Sequence, residues 1–171
     1  MQNNRRICIS GLLASGKSTI AKEISSSLDL RYVSVGNIYR RNSSLSGIEN
    51  PEEIKKWDNY LDSLIVEEIQ EGNLVIEGRT VGYLGNTQKK DFPGLINILL
   101  SSDPEVRKER ARKRGGERGL RRDSLDVHRF YEKYGVDIFS DCYYDCIIDN
   151  SFISAEESVD VIKKYIERRL E

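Results

Sequence analysis

A five-stranded parallel β-sheet with helices packed on both faces, a three-layer α/β arrangement, is the fold this sequence predicts. Three observations predict it. Five short apolar runs alternate with stretches of helical periodicity, the pattern of strand–helix–strand crossovers. Little between them signals hairpins, so the strands should run parallel and be covered on both sides. The first strand also leads through a glycine-bearing turn directly into the first helix, the kind of junction where such sheets hold anions. At 171 residues and 38% hydrophobic, the chain suits one well-buried domain over residues 1–171 and is short for two.

The elements can be justified in order. Arg5–Ser10 carries the apolar run Ile7, Cys8, Ile9, giving a first strand over Ile7–Ser10. The next residues complete CISGLLASGKST, in which Gly11, Gly16, Lys17 and Ser18 satisfy GxxxxGK[ST]. Glycines let backbone N–H groups approach a pyrophosphate, and the helix N-terminus adds partial positive charge. Lys17 reaches the outer phosphates and Ser18 ligates magnesium, so Gly11, Ala14, Ser15, Gly16, Lys17, Ser18 and Thr19 are expected to hold MgATP. Lys17–Leu28 then places Ile20, Ala21, Ile24 and Leu28 on one helical face. Arg31–Val35 reads as the second strand. Asn50 followed by Pro51 opens a helix toward Gln70, and Asn73–Glu77 is the third strand. Gly82–Gly94 is expected to be a mobile loop before the fourth strand, Leu95–Leu100. Asp103 with Pro104 opens the next helix, and Gly115–Gly119 is expected to be a second mobile loop. Cys146–Asp149 is the last strand, after which Ser154 and Glu157 form a capping box before Val159, Ile162, Ile166 and Leu170.

Overall charge excludes little chemistry but some partners. With 27 Lys+Arg against 28 Asp+Glu the net is −1, which predicts neither a nucleic-acid coat nor a membrane-surface protein. The local distribution is different: nine Lys or Arg against two Glu lie between Val106 and Arg122, a segment suited to anions. Cys8, Cys142 and Cys146 show no metal-ligand spacing and read as reduced packing residues. The first residues have too short an apolar stretch for a signal peptide and no window has the length of a membrane span, so a cytoplasmic protein is expected.

Three mechanistic classes use such a phosphate loop: guanine-reading switches, kinases of hydroxyls, and kinases of phosphates. DFPG at Asp91–Gly94 precedes a strand instead of ending one, and Gln88–Asp91 matches a base-reading motif only loosely. Both read as a turn. A hydroxyl acceptor needs a base, and the one histidine, His128, reads as a solvated helix residue. A phosphate acceptor, with its second pKa near 6, is already mostly ionised and needs cations to offset repulsion. Arg40 follows the second strand and Arg79 the third, at the carboxyl ends where open parallel sheets bind ligands. Arg110, Arg114, Arg122 and Arg129 lie in and beyond the basic segment.

These blocks resemble those of cytidylate kinases, most closely the short archaeal type. VSVGNIYRR, NLVIEGRTVGYL, INILLSSDPEVRKERARKR, RRDSLDVHRFYEKYGVDI and YYDCIIDNSFISAEESV follow one another as they do in that family, over nearly the whole chain. The resemblance implies a phosphate-loop kinase fold with an acceptor-binding segment at residues 36–72 and a lid at 115–129. It implies that Lys17 spans the β- and γ-phosphates, and that Ser18 holds magnesium with Glu77 reaching it through water. Arg40 and Arg79 would grip the acceptor phosphate, with Arg122 and Arg129 closing from the lid. Arg79, Lys17 and these lid arginines would be the catalytic set. Asp126 would contact the sugar, Arg110 and Arg114 would cover the ATP phosphates, and Asp149–Ser151, with Asn150 at its centre, would cradle the adenine. Gly36, Thr80, Tyr83 and Asp62 would line the acceptor pocket, Asp58 and Asp62 forming a pair on one helix.

The chain departs from the family at Asn37, where many relatives have Asp or Ala, and at Thr80, where bacterial members have Asp. The implied reaction is MgATP with CMP or dCMP, by in-line transfer, in a monomer that binds small nucleotides and no nucleic acid or membrane. AMP, UMP or dephospho-coenzyme A remain open as acceptors, as does a non-kinase regulator whose basic lid binds RNA.

Overall fold

The computed structural model describes residues 4–41, 50–115 and 117–170, with their side chains except at 117–122, 124 and 170. Strand β1 (Arg6–Gly11) is central. It is flanked by β3 (Leu74–Gly78) and β4 (Ile96–Ser101), with β2 (Arg31–Ser34) and β5 (Cys146–Asp149) at the edges, in the order β2-β3-β1-β4-β5. Every pairing is parallel, and Ile7 stands opposite both Val75 and Ile96. The five strands lie within one residue of the sequence expectation at either end.

Parallel strands require helical crossovers. The helices are α1 (Lys17–Leu28), α2 (Val35–Arg41), α3 (Pro51–Glu71), α4 (Val81–Thr87), α5 (Pro104–Lys113), α6 (Glu117–Tyr134) and α7 (Ala155–Leu170), the last of them following the final strand, and among the described residues a 3-10 turn lies at Asp141–Tyr143. The period-two alternation of the strands feeds two cores. Ile7 and Ile9 join Ile20, Ala21 and Ile24 of α1 and Ile162 and Ile166 of α7. Cys8, Leu74 and Ile76 join Ile65 and Ile69 of α3 and Val81 and Leu84 of α4 on the opposite face. Helix starts use the expected caps: the Asn50 side chain accepts from the Glu52 N–H at 2.9 Å and Asp103 from that of Glu105 at 2.7 Å. In the capping box, Glu157 N–H donates to Ser154 Oγ at 3.1 Å, and Ser154 N–H to Glu157 Oε2 at 2.7 Å.

Two loop expectations are corrected. Much of Gly82–Gly94 is helix α4, whose Val81 and Leu84 are buried. Its glycines serve close approach: a Cβ on Gly85 would lie 2.5 Å from Asn97 Oδ1 and 3.0 Å from Cys8 Sγ. Likewise Gly115–Gly119 is mostly the start of α6, which begins at Glu117, while residue 116 lies outside the described residues. Arginine and leucine around those glycines favour helix.

The cysteines are free. Burial, reinforced by the charge of Asp145, pushes the Cys8 thiol up to about 12, so it acts as an apolar packing group. Among the described residues no helix is long and apolar enough to cross a membrane.

Candidate active site

The loop between β1 and α1 is shaped by its backbone. Ala14 and Gly16 both take left-handed conformations, with φ of 60° and 87°. A Cβ at Gly11 would meet Ser15 Oγ at 2.5 Å and the Leu100 carbonyl at 2.9 Å, so the turn needs glycine there. Helix α1 has no side-chain cap and no acid in its first turn, leaving the N–H groups around Lys17 and Ser18 open to an anion. Thr19 is exposed in the same turn. Lys17 Nζ donates to the Leu12 carbonyl at 3.1 Å. Burial pushes the Lys17 ammonium below its ordinary value; Glu77 and Asp123 oppose that shift, while Arg79 and Arg40 add to it.

Glu77, 2% exposed, closes β3 beside this lysine. Three hydroxyls donate to its Oε1: Ser18 at 3.0 Å, Tyr32 at 3.3 Å and Ser34 at 2.5 Å. A serine hydroxyl and a carboxylate are hard oxygen donors, the set that suits magnesium. Among the described residues no three His, Cys, Asp or Glu gather into a metal cluster.

A cleft of about 380 Å³ opens at the carboxyl ends of β1 and β3 and runs toward α3 and α6. Lys17, Ser18, Gly36, Arg40, Asp62, Glu77, Arg79, Thr80, Asp126 and Arg129 all line it. Arg40 is exposed and donates to Asn37 Oδ1 at 2.6 Å. The other cleft arginines belong to a chain of alternating charge. Asp58 meets Arg129 at 3.4 Å, Arg129 meets Asp126 at 3.1 Å, Asp126 meets Arg79 at 2.8 Å, Arg79 meets Asp123 at 3.0 Å, and Asp123 meets Arg107 at 2.6 Å. Arg79 Nε is buried with no acceptor among the described residues. On the far wall, the Tyr134 hydroxyl donates to both oxygens of Asp62 at 2.9 Å, and Lys133 Nζ lies 2.6 Å from the same carboxylate. Burial, with the charge of Asp62, pushes the Tyr134 phenol strongly up, so it stays a donor.

Other expected residues fall elsewhere. Tyr83 lies one layer behind the cleft: its ring packs 4.8 Å from that of Tyr134 and 5.1 Å from that of Tyr143. An aromatic beside a small residue reads equally as pocket or packing from sequence; here the ring lies against Tyr134, which itself lines the cleft. Arg110 is bound within the protein, its guanidinium donating to the Asn150 carbonyl at 2.6 Å and to Asn150 Oδ1 at 3.1 Å. Asn150 Nδ2 in turn donates to the Ser15 carbonyl at 2.7 Å, tying the loop after β5 to the phosphate loop. Arg114 is exposed in the turn after α5. Arg122 lies on the backbone of α6 and its side chain is outside the described residues. His128 is exposed, 3.4 Å from Glu132.

Sequence reasoning missed Asp123, Arg107, Ser34, Tyr32 and Lys133. The signal for Asp123 was present, since Asp123, Asp126 and Arg129 recur at threes on one helical face within an arginine-rich segment.

Residues 7–130 match a family model described as an AAA domain. The chain is 30% identical to a cytidylate kinase of Ignicoccus hospitalis, over 94% of this chain and 98% of the relative. It is 32% identical to a cytidylate kinase of Methanococcus maripaludis, over 94% and 97%. Among solved structures, a shikimate kinase from Bacteroides thetaiotaomicron superposes with a TM-score of 0.65 at 17% identity, over 95% of this chain and 98% of that one, a likeness of fold.

Proposed function

The chain belongs to the cytidylate kinase family, ATP-dependent phosphotransferases acting on nucleoside monophosphates, and from that premise we propose that its acceptor is CMP or dCMP. The single observation that carries this reading is the convergence of Arg40, Arg79 and Arg129 on the cleft that also holds Lys17. Cations from three separate elements beside a triphosphate loop suit a second reactant that is itself anionic. The cleft carboxylates Asp58 and Asp126 are paired with arginine, which suits them poorly to take a proton from a hydroxyl.

In this reading the loop Gly11–Thr19 cradles the donor phosphates and Lys17 bridges the outer two. Ser18 would hold magnesium, with Glu77 reaching it through water, and the ion would supply charge neutralisation to the donor phosphates. Arg40 and Arg79 grip the acceptor phosphate, and Arg129 with Arg122 approaches the transferring group. Asp126 faces the sugar; Asp62, fixed by Tyr134 and Lys133, stands with Thr80 at the base end. Arg110 supports the donor side through Asn150, and Arg114 lies nearby. Transfer proceeds in line, by alignment and charge stabilisation without a covalent intermediate. Segments 36–72 and 115–129 close over the reactants and exclude water.

The test is ADP formation measured with each nucleoside monophosphate and its deoxy form. CMP and dCMP should give the highest kcat/KM. Faster turnover of AMP, UMP or dephospho-coenzyme A would reassign the acceptor. ATP binding without phosphorylation of any of them, together with RNA affinity that falls steeply with salt, would replace the reading with a nucleic-acid-binding one.

A further inference from the structure

We propose that Asp123 is a positioning residue, the joint through which helix α6 grips the phosphate loop and aims Arg79, so that donor and acceptor binding are coupled. Its carboxylate is buried, 6% exposed, where three other elements meet. Oδ1 accepts from the Leu13 N–H of the phosphate loop at 3.3 Å and from Arg79 at the end of β3 at 3.0 Å. Oδ2 accepts from Arg107 of α5 at 2.6 Å. The same Arg107 nitrogen donates to the Leu13 carbonyl at 3.3 Å, so the residue at the rim of the loop is held through both its backbone N–H and its carbonyl.

Two carboxylates one helical turn apart fix the Arg79 fork: Asp123 takes one terminal nitrogen and Asp126 the other, at 2.8 Å. A guanidinium has five N–H donors. Each terminal nitrogen faces one helix carboxylate and carries a second N–H besides. The fork is therefore anchored and still able to bind. A triphosphate that orders the loop orders Leu13, through Leu13 the Asp123 carboxylate, and through Asp123 the direction in which Arg79 presents its remaining donors. Because linkage is reciprocal, the acceptor must tighten donor binding by the same factor.

This inference rests on Arg79 serving the acceptor phosphate. The experiment measures, by calorimetry, the Kd of CMP with and without a saturating non-hydrolysable ATP analogue and magnesium, for the unaltered protein, Asp123→Asn and Arg107→Gln. The unaltered protein should show tightening within the usual range of about 5- to 150-fold. In both variants the factor should fall to within about twofold of one and kcat by about tenfold. The double variant should be no worse than the more impaired single one, as expected for residues acting as one unit. Arg107→Gln leaves the Arg79–Asp123 pair intact, so it carries the test should Asp123→Asn fail to fold. Coupling retained in a folded variant overturns the proposal, and so does an unaltered protein without coupling. If CMP itself does not bind, the acceptor assignment has failed, and the same measurements run with whichever monophosphate supports ADP formation.

Discussion

Replacing Arg79 by methionine should separate catalysis from folding, and the structure sets both magnitudes. Arg79 is 28% exposed as a side chain, against 8% and 7% for its partners Asp123 and Asp126, so its removal touches two buried carboxylates. Neither is orphaned. Asp123 keeps Arg107 at 2.6 Å and the Leu13 N–H, and Asp126 keeps Arg129 at 3.1 Å. The cost should therefore fall below the 3–5 kcal/mol typical of stripping a buried charge of its partner, at about 1–2 kcal/mol. For a chain of this size that is a Tm lower by about 2–8 °C. Catalysis should suffer more. Loss of a preorganised donor aimed at developing charge costs about 10²- to 10³-fold in kcat. Arg79→Lys should recover only part of this, because one ammonium cannot span two aspartates and a phosphate as a planar fork does. The assays are steady-state ADP formation with saturating CMP and thermal unfolding by circular dichroism. A folded Arg79→Met protein with kcat/KM within threefold of the original would refute the assignment of this cleft.

Lys17→Met should lower kcat by about 10²- to 10³-fold without loss of stability. Burial holds the lysine's folded pKa below its ordinary value, so its charged form costs stability at every pH beneath the folded pKa, a cost that fades as pH rises from the folded toward the unfolded value. At pH 7 the variant's Tm should match or exceed the original, and a fall of more than about 5 °C contradicts this. Gly85→Ala should destabilise by about 1–3 kcal/mol, since the added methyl meets two fully buried groups, Asn97 and Cys8. Urea unfolding reads this out, and kcat at 20 °C should change little. His128→Gln should leave kcat within about twofold from pH 6 to 8, because the imidazole is exposed and lines no part of the cleft. A tenfold loss would restore the case for a histidine base.

Much of the architecture was legible because it is written in short-range patterns. Alternation marked the strands, and Asn50, Asp103 and Ser154 marked helix starts through side chains that reach only two or three residues along the chain. The phosphate loop was legible for the same reason, its chemistry being confined to consecutive residues. Gly82 and Gly85 were misread because a glycine required for contact with a distant strand looks, in sequence, like one required for a turn. Asp123 shares a helical face with Asp126 and Arg129, yet its role was hidden for a related reason: its partners Leu13, Arg79 and Arg107 are 110, 44 and 16 positions away, and only the fold brings them together. Arg110 shows the converse. Its place in a basic segment suggested a free cation, whereas Asn150, 40 positions on, engages it.

The row of three aspartates and three arginines that runs from the cleft back to α5 also bears on which anions would settle there. A stray sulfate or orthophosphate entering there would meet guanidinium forks whose charge the aspartates already share, and would bring no other contact of its own. A nucleotide arrives with a sugar and a base that make contacts of their own. A guest that brings charge alone would thus gain little from forks whose acids stay seated, whereas one that also touches the pocket walls would gain from the donors those forks keep.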